Sequence, residues 1–298
     1  MVRNRKITYI FSIILVIASV FSLLIWKLKL GIDFTGGSLL EAEYKDGRPE
    51  IGQIQNAIDK FGFGNVSIQP SGDNGVILRL KDISEEEHIK LLAVLAIGGK
   101  APAEKQFNSV GPVIGKELAQ KSIIAVILVV VMIILYIAWA FRKVSRPVSS
   151  WKYGVAAVIA LVHDVTIPSG VFAALGHFKG IEIDILFITA LLTTLGFSVH
   201  DTIVVFDRIR ENLKKQIGVN FEDTVEKSIR QTLMRSIFTS MTVIIVLIAL
   251  LIFGGPTIRY FSLTLLLGIT FGTYSSIFLA SPLLVTWHKW SERKKLRK

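Results

Sequence analysis

The run ILFITALLTTLGFSVHDTIVVF, residues 185–206, is 22 residues long and carries one formal charge, Asp201, next to His200. A helix rises 1.5 Å per residue, so this run is long enough to cross the roughly 30 Å hydrocarbon core of a bilayer. Three of its polar residues form a stripe. Thr194, Ser198 and Asp201 fall at i, i+4 and i+7, which puts them on one helical face.

Five further runs surround it. Ile7 to Trp26 is uncharged and bounded by Lys6 and Lys27, and Ser122 to Phe141 is uncharged. Tyr153 to Phe178 has only His163, Asp164 and His177 as ionisable groups. Ser236 to Ile258 and Tyr260 to Trp287 are parted by the helix-breaking Gly254-Gly255-Pro256 and by Arg259. The whole composition agrees with a polytopic membrane protein: 298 residues are 51% apolar with a mean hydropathy of +0.56, too oily for two soluble domains. Six transmembrane helices are expected. Arg3, Arg5 and Lys6 precede the first run as in a signal peptide. Its apolar stretch exceeds the usual roughly 7 to 15 residues and no cleavage site follows, so it reads as an uncleaved anchor.

The charges set the orientation. With 34 basic and 23 acidic residues the net charge is +11, which in a soluble protein would suggest nucleic acid. In a membrane protein, basic residues collect in cytoplasmic loops, so nucleic acid is not the expected partner. One side carries twenty Lys and Arg in its short loops and tails, including Arg142, Lys143, Arg146 and Lys152; the other has only Lys179 and Arg259. Both termini are therefore expected in the cytoplasm. Three segments follow: 1–30 (tail and first helix), 31–120 (a domain outside), and 121–298 (helices two to six with cytoplasmic loops and tail). No cysteine is present, so disulfides, thiol nucleophiles and iron–sulfur clusters are excluded.

The outside segment reads as strand Leu39–Tyr44, helix 49–61, strands Val66–Gln69 and Val76–Leu80 flanking a turn at 70–75, a helix from 84 to 96, and an extended stretch Glu104–Val110. That β-α-β-β-α-β order is the ferredoxin-like pattern. Its second helix opens with Ser84 and Glu87 at capping-box spacing. Its carboxylates are scattered and His88 stands alone on a helix, so a structural or polypeptide-contacting role is expected rather than catalysis.

An ionisable residue inside a span costs roughly 2.5 to 3.5 kcal/mol on insertion scales, which makes each one a functional candidate. Asp164 sits about halfway along its span. Asp201 lies about 7.5 Å from the cytoplasmic end of its own, and Arg235 opens the fifth span on that side. Arg235, Thr239 and Thr242 repeat the i, i+4, i+7 spacing, so this stripe and the Thr194–Ser198–Asp201 stripe are expected to face each other. His200 points about 100° away from Asp201, and His163 adjoins Asp164 in the same way; both read as packing residues first, with His200 a candidate for support. A carboxylate beside an arginine that can swing away is a protonation switch.

Five ordered motifs carry a resemblance. Gly31-Ile-Asp33-Phe34-Thr35-Gly36-Gly37 follows the first span, Gly111-Pro-Val-Ile-Gly-Lys-Glu-Leu118 precedes the second, and Val162-His-Asp-Val165 lies in the third. Gly196 to Asn212 runs through the fourth, and Gln231 to Ser240 leads into the fifth. Together they resemble the SecF family of the bacterial SecDF complex over essentially the whole chain. The resemblance implies a non-enzymatic, proton-driven helper of preprotein export in the bacterial inner membrane, of resistance-nodulation-division architecture. SecD, the SecYEG channel, the preprotein and membrane lipid are its implied partners, and protons its coupling ion, with no cofactor or metal. It places the proton relay on Asp201 and Arg235, with Asp164 a further member; Thr194, Ser198 and Thr239 of the two stripes, and His200, are candidates for support. The Gly-rich segment lacks a Gly-Lys-Ser/Thr ending, so it reads as a bend where the chain leaves the membrane rather than a phosphate loop. A non-transporting scaffold of the Sec complex and a small-molecule or lipid exporter are the rival readings. An exporter would call for larger outside domains than the 90-odd residues here.

Overall fold

The structure, a computed structural model, describes residues 2–45, 47–64, 66–141 and 149–296. Arg142, Lys143 and Arg146, counted above for orientation, lie outside the described residues, as do Arg297 and Lys298. In chain order, α1 (Arg5–Trp26) is followed by the short α2 (Ile32–Thr35), then β1 (Gly37–Glu43), α3 (Ile51–Lys60), β2 (Ser67–Ser71), β3 (Gly75–Leu80), α4 (Glu85–Val94) and β4 (Ala103–Val110). Long helices follow: α5 (Pro112–Ala140), α6 (Ser150–Lys179), α7 (Ile185–Lys214), α8 (Phe221–Phe253), α9 (Pro256–Ser275), a π-helical turn (Ser276–Ala280) and α10 (Ser281–Leu296). The chain forms two compact units, Leu30–Ile123 and the remainder.

The smaller unit is a ferredoxin-like α+β domain with its four strands in the order β2-β3-β1-β4, all antiparallel. Alternation decides which face is buried: Leu40 and Ala42 of β1 and Val76, Leu78 and Leu80 of β3 point to one side. Ile54 and Ile58 of α3 and Leu91 of α4 close the core over that face. Ser84 accepts from the Glu87 amide while the Glu87 carboxylate accepts from the Ser84 amide, so the capping box forms. Tyr44 is fully buried, donates to the Leu95 carbonyl at 3.0 Å, and burial pushes its phenol up to about 12. His88 stacks on Phe107 with ring centroids 3.7 Å apart, Glu85 and Glu104 at its two nitrogens. The hairpin turn is tighter than the sequence suggests. Pro70 and Ser71 pair with Val76 and Gly75, which a proline tolerates because β2 is an edge strand.

The glycines after the first span do more than bend the chain. Gly36 has φ +77°, and a Cβ there would stand 2.6 Å from the Pro112 Cα; a Cβ on Gly115 would stand 2.7 Å from the Gly36 nitrogen. Two of the motifs, Gly31–Gly37 and Gly111–Leu118, therefore meet backbone to backbone, a packing that side chains would forbid.

In the larger unit the packing follows membrane rather than soluble logic. The residues α1 buries are serines, Ser12, Ser19 and Ser22, and Ser22 donates to the Gly170 carbonyl of α6 at 2.6 Å. Small side chains let helices approach where lipid supplies no hydrophobic drive between them, while Ile7, Ile14 and Leu24 of α1 face outward. Six helices are long and apolar enough to cross a membrane, the sixth continuing from Ile258 through the π turn to Lys294. The fifth ends at Phe253 rather than Ile258, because Pro256 opens α9, where a missing amide costs nothing. The centre of this unit is α7, packed on α6, α8 and α9. At one end of the bundle Glu222 of α8 takes Arg5 of α1 at 2.5 Å and also Lys289 of α10. The start of the first helix and the end of the last thus lie on one side.

Candidate functional site: two buried aspartates

Asp164 of α6 is fully buried. Its Oδ2 accepts from Ser198 of α7 at 2.5 Å and from Ser275 of α9 at 2.7 Å, and His163 Nδ1 lies 2.8 Å from its Oδ1. Pro168, inside α6, removes the amide that would close on the Asp164 carbonyl. Gly272 lets α9 settle here, since a Cβ on it would stand 3.1 Å from that of Ser198 and 3.6 Å from Asp164 Oδ2.

Asp201 of α7 is 8% exposed. Its Oδ1 accepts from Ser236 of α8 at 2.5 Å, and its Oδ2 accepts from Ser276, the first residue of the π turn. Successive serines, Ser275 and Ser276, thus serve different aspartates on different helices.

Arg235 does not pair with Asp201 in this arrangement, contrary to the sequence expectation. The face that α8 buries includes the row Thr224, Ser228, Thr232, Ser236 and Ser240, at a spacing of four. Arg235, Thr239 and Thr242 lie beside that row and are exposed, with the Thr239 hydroxyl donating to the Arg235 carbonyl at 2.7 Å. The reason is steric: a row of small hydroxyl residues packs closely against α7 and α9, and a guanidinium does not. Arg235 instead borders a small cleft that His200, Thr239, Ser236 and Asp201 also line. Thr194 is buried against Gly268, and its hydroxyl has no partner among the described residues. Ser198 serves Asp164 rather than Asp201, which splits the expected stripe between two sites. In the Gly31–Gly37 segment, Phe34 is buried and Thr35 donates to the Gly31 carbonyl at 3.0 Å; Asp33 lies in the first turn of α2.

Magnitudes say why this arrangement is unusual. Interhelical hydrogen bonds in membranes contribute roughly 0.6 kcal/mol on average, so two or three per aspartate do not offset the roughly 2.5 to 3.5 kcal/mol cost of a charged side chain at the helix centre. Stability alone does not account for these residues. A serine hydroxyl both donates and accepts, so it can hold a carboxylate or a carboxylic acid with no movement of heavy atoms. Sequence reasoning missed Ser236, Ser275 and Ser276 and took His163 for packing. The signals were available for two of them: Ser236 continues a row of hydroxyls at four-residue spacing, and Gly268 and Gly272 mark a close approach one turn before Ser275.

Comparison with known proteins shows the family. Residues 93–290 match the family described as "Protein export membrane protein SecD/SecF, C-terminal", and residues 21–47 match the SecD/SecF GG motif. The class is that of the multi-pass SecD/SecF export membrane proteins. The chain is 46% identical over 299 residues to the protein translocase subunit SecF of Thermobaculum terrenum, covering 96% of this chain and 93% of that protein. Within the class, the chain belongs to the SecF family. It also superposes on the crystal structure of SecDF, a translocon-associated membrane protein, from Thermus thermophilus. There the TM-score is 0.84 at 31% identity, over 97% of this chain and 38% of that one. A crystal structure of SecDF in a super-membrane-facing form matches at 0.67, again at 31% identity, over 99% of this chain and 39% of that one. This chain therefore spans well under half the length of either SecDF.

Proposed function

We propose that the chain assists preprotein export as the SecF-type subunit of a complex with a separate SecD, beside the SecYEG channel of the bacterial cytoplasmic membrane, and that it draws on the proton gradient. Both termini face the cytoplasm and the ferredoxin-like domain faces out. The observation that carries the reading is Asp201, buried in the bundle, held by the Ser236 and Ser276 hydroxyls, and lining a cleft with Arg235, which has no ion pair among the described residues. Protonated, Asp201 stays with Ser236 and Ser276. Ionised, it draws Arg235 into the cleft, α8 turns, and the helix movement is delivered to the domain that holds the emerging preprotein. The energy scale fits, because one charge crossing 100 mV supplies roughly 2.3 kcal/mol, close to the cost of the buried charge it neutralises. The SecD partner is supported by the SecDF chains, which are more than twice as long as this one. The work is mechanical, and no covalent step is assigned. Restoring the chain to membrane vesicles depleted of it should raise the gradient-dependent part of preprotein export. Export that is equal with and without it, under a full gradient, refutes the proposal.

A further inference from the structure

Each of the two adjacent serines has two acceptors for a single proton. Ser275 Oγ lies 2.7 Å from Asp164 Oδ2 and 3.1 Å from the Gly272 carbonyl of its own helix. Ser276 Oγ is bonded to Asp201 Oδ2 and lies 3.0 Å from the Thr273 carbonyl. A hydroxyl so placed donates to the aspartate when it is ionised. When the aspartate carries a proton, the hydroxyl turns to the carbonyl and accepts from the acid. The serines are linked through the backbone at the point where the helix passes from α to π. There the Ser276 carbonyl takes a hydrogen bond from Ser281 Oγ at 2.9 Å, and Pro282 follows. Turns of this kind are frequent at functional sites, where one added residue shifts the facing of everything beyond it. Successive residues of a helix point about 100° apart, so re-forming a regular helix here turns one of the two serines from its aspartate.

We infer that Ser275 and Ser276 are positioning residues that join Asp164 and Asp201 into one coupled proton-holding unit, with Asp164 as its second protonation site and the π turn as the element that changes between its states. This rests on the reading that Asp201 binds protons. The titratable and charged groups facing the unit are His163 on α6 and Tyr274 on α9, whose rings stack at 6.1 Å, with His200 on α7 and Arg235 on α8 bordering the cleft. From α1, Ser12 donates to the Tyr274 hydroxyl at 3.3 Å, and Tyr9 is engaged with Thr286.

The test is infrared pH titration of the full chain in lipid membranes, with Asp164→Asn and Asp201→Asn assigning the two carboxyl stretching bands. Coupling predicts that Asp201→Asn moves the midpoint of the Asp164 band by about one pH unit, the scale at which two sites share macroscopic steps. In a Ser276→Ala background that response should be lost, and Ser276→Thr, which keeps the hydroxyl, should preserve it. Ser275→Ala, which leaves both donors of Asp201 in place, should remove the response from the other side. An Asp164 midpoint that is the same with and without Asp201 overturns the inference, as does a response that survives both alanine changes. These outcomes are independent of export. Loss of gradient-driven export in Asp201→Asn together with unlinked bands overturns the coupling and leaves the proton-driven export reading standing; linked bands with normal export leave the coupling standing and overturn the role of Asp201 in driving export.

Discussion

Arg235 and Asp201 border one cleft, yet Asp201 gives its oxygens to Ser236 and Ser276 and pairs with no cation among the described residues. Ser236 is the residue next to Arg235 on α8, so a turn of that helix by about 100° exchanges a hydroxyl for a guanidinium at the carboxylate. On the proposed function, this arrangement is one state of a switch and that turn is the motion to the other.

If the second state is a hydrogen-bonded ion pair, its geometry matters. Arg235→Lys keeps the charge and loses the planar fork that holds a carboxylate through two bonds. Gradient-stimulated export should fall while the amount of protein in the membrane stays normal, because Arg235 is exposed. Quantitative immunoblotting beside a vesicle export assay separates the two readouts. Full export with lysine at this position removes the ion pair from the mechanism.

The glycine clasp gives a prediction about stability alone. Gly36→Ala combines a left-handed φ with a Cβ 2.6 Å from the Pro112 Cα, whereas Gly62→Ala has a similar φ of +74° in open space. A non-glycine residue in this region costs of order 1 to 3 kcal/mol, and only Gly36→Ala adds a backbone clash. Thermal unfolding of the purified chain should therefore drop several degrees further for Gly36→Ala than for Gly62→Ala. Equal shifts would mean the close approach is not needed.

Orientation is tested by fusion. Arg5 and Lys289 share Glu222, so the start of α1 and α10 meet on one side of the bundle, which the proposed orientation puts in the cytoplasm. Alkaline phosphatase joined at Gly72 should be active and at Ser149 inactive. The opposite pattern inverts the proposed mechanism.

Much of this was legible in the residues. Six long apolar runs announce six spans because a bilayer demands length and apolarity, and the period of two in β1 and β3 announces the sheet. Asp164 and Asp201 stand out because charge inside a span is costly. Which of two rows on α8 faces Asp201 was not legible. The row ending in Ser236 and Ser240 and the row Arg235, Thr239, Thr242 have the same helical period and differ by one position. What selects between them is how closely α7 and α9 approach, which depends on residues far away in sequence. The π turn leaves no local pattern, since Ser275-Ser276-Ile277 would suit any helix. His163 follows from neither period nor spacing: it meets the carboxylate of its own neighbour only because both side chains are enclosed.

The central claim is that Asp201 exchanges protons to drive export. Asp201→Asn imitates only its protonated form, and the amide still has an oxygen to accept from Ser236 or Ser276. Because no ion pair is broken, membrane abundance should stay normal, unlike the loss expected when a buried pair is split at roughly 3 to 5 kcal/mol. The deciding measurement is the rate of preprotein export into vesicles energised by a proton gradient, wild type against Asp201→Asn. The account predicts that the variant exports at the rate seen without a gradient, and export at the wild-type energised rate would contradict it.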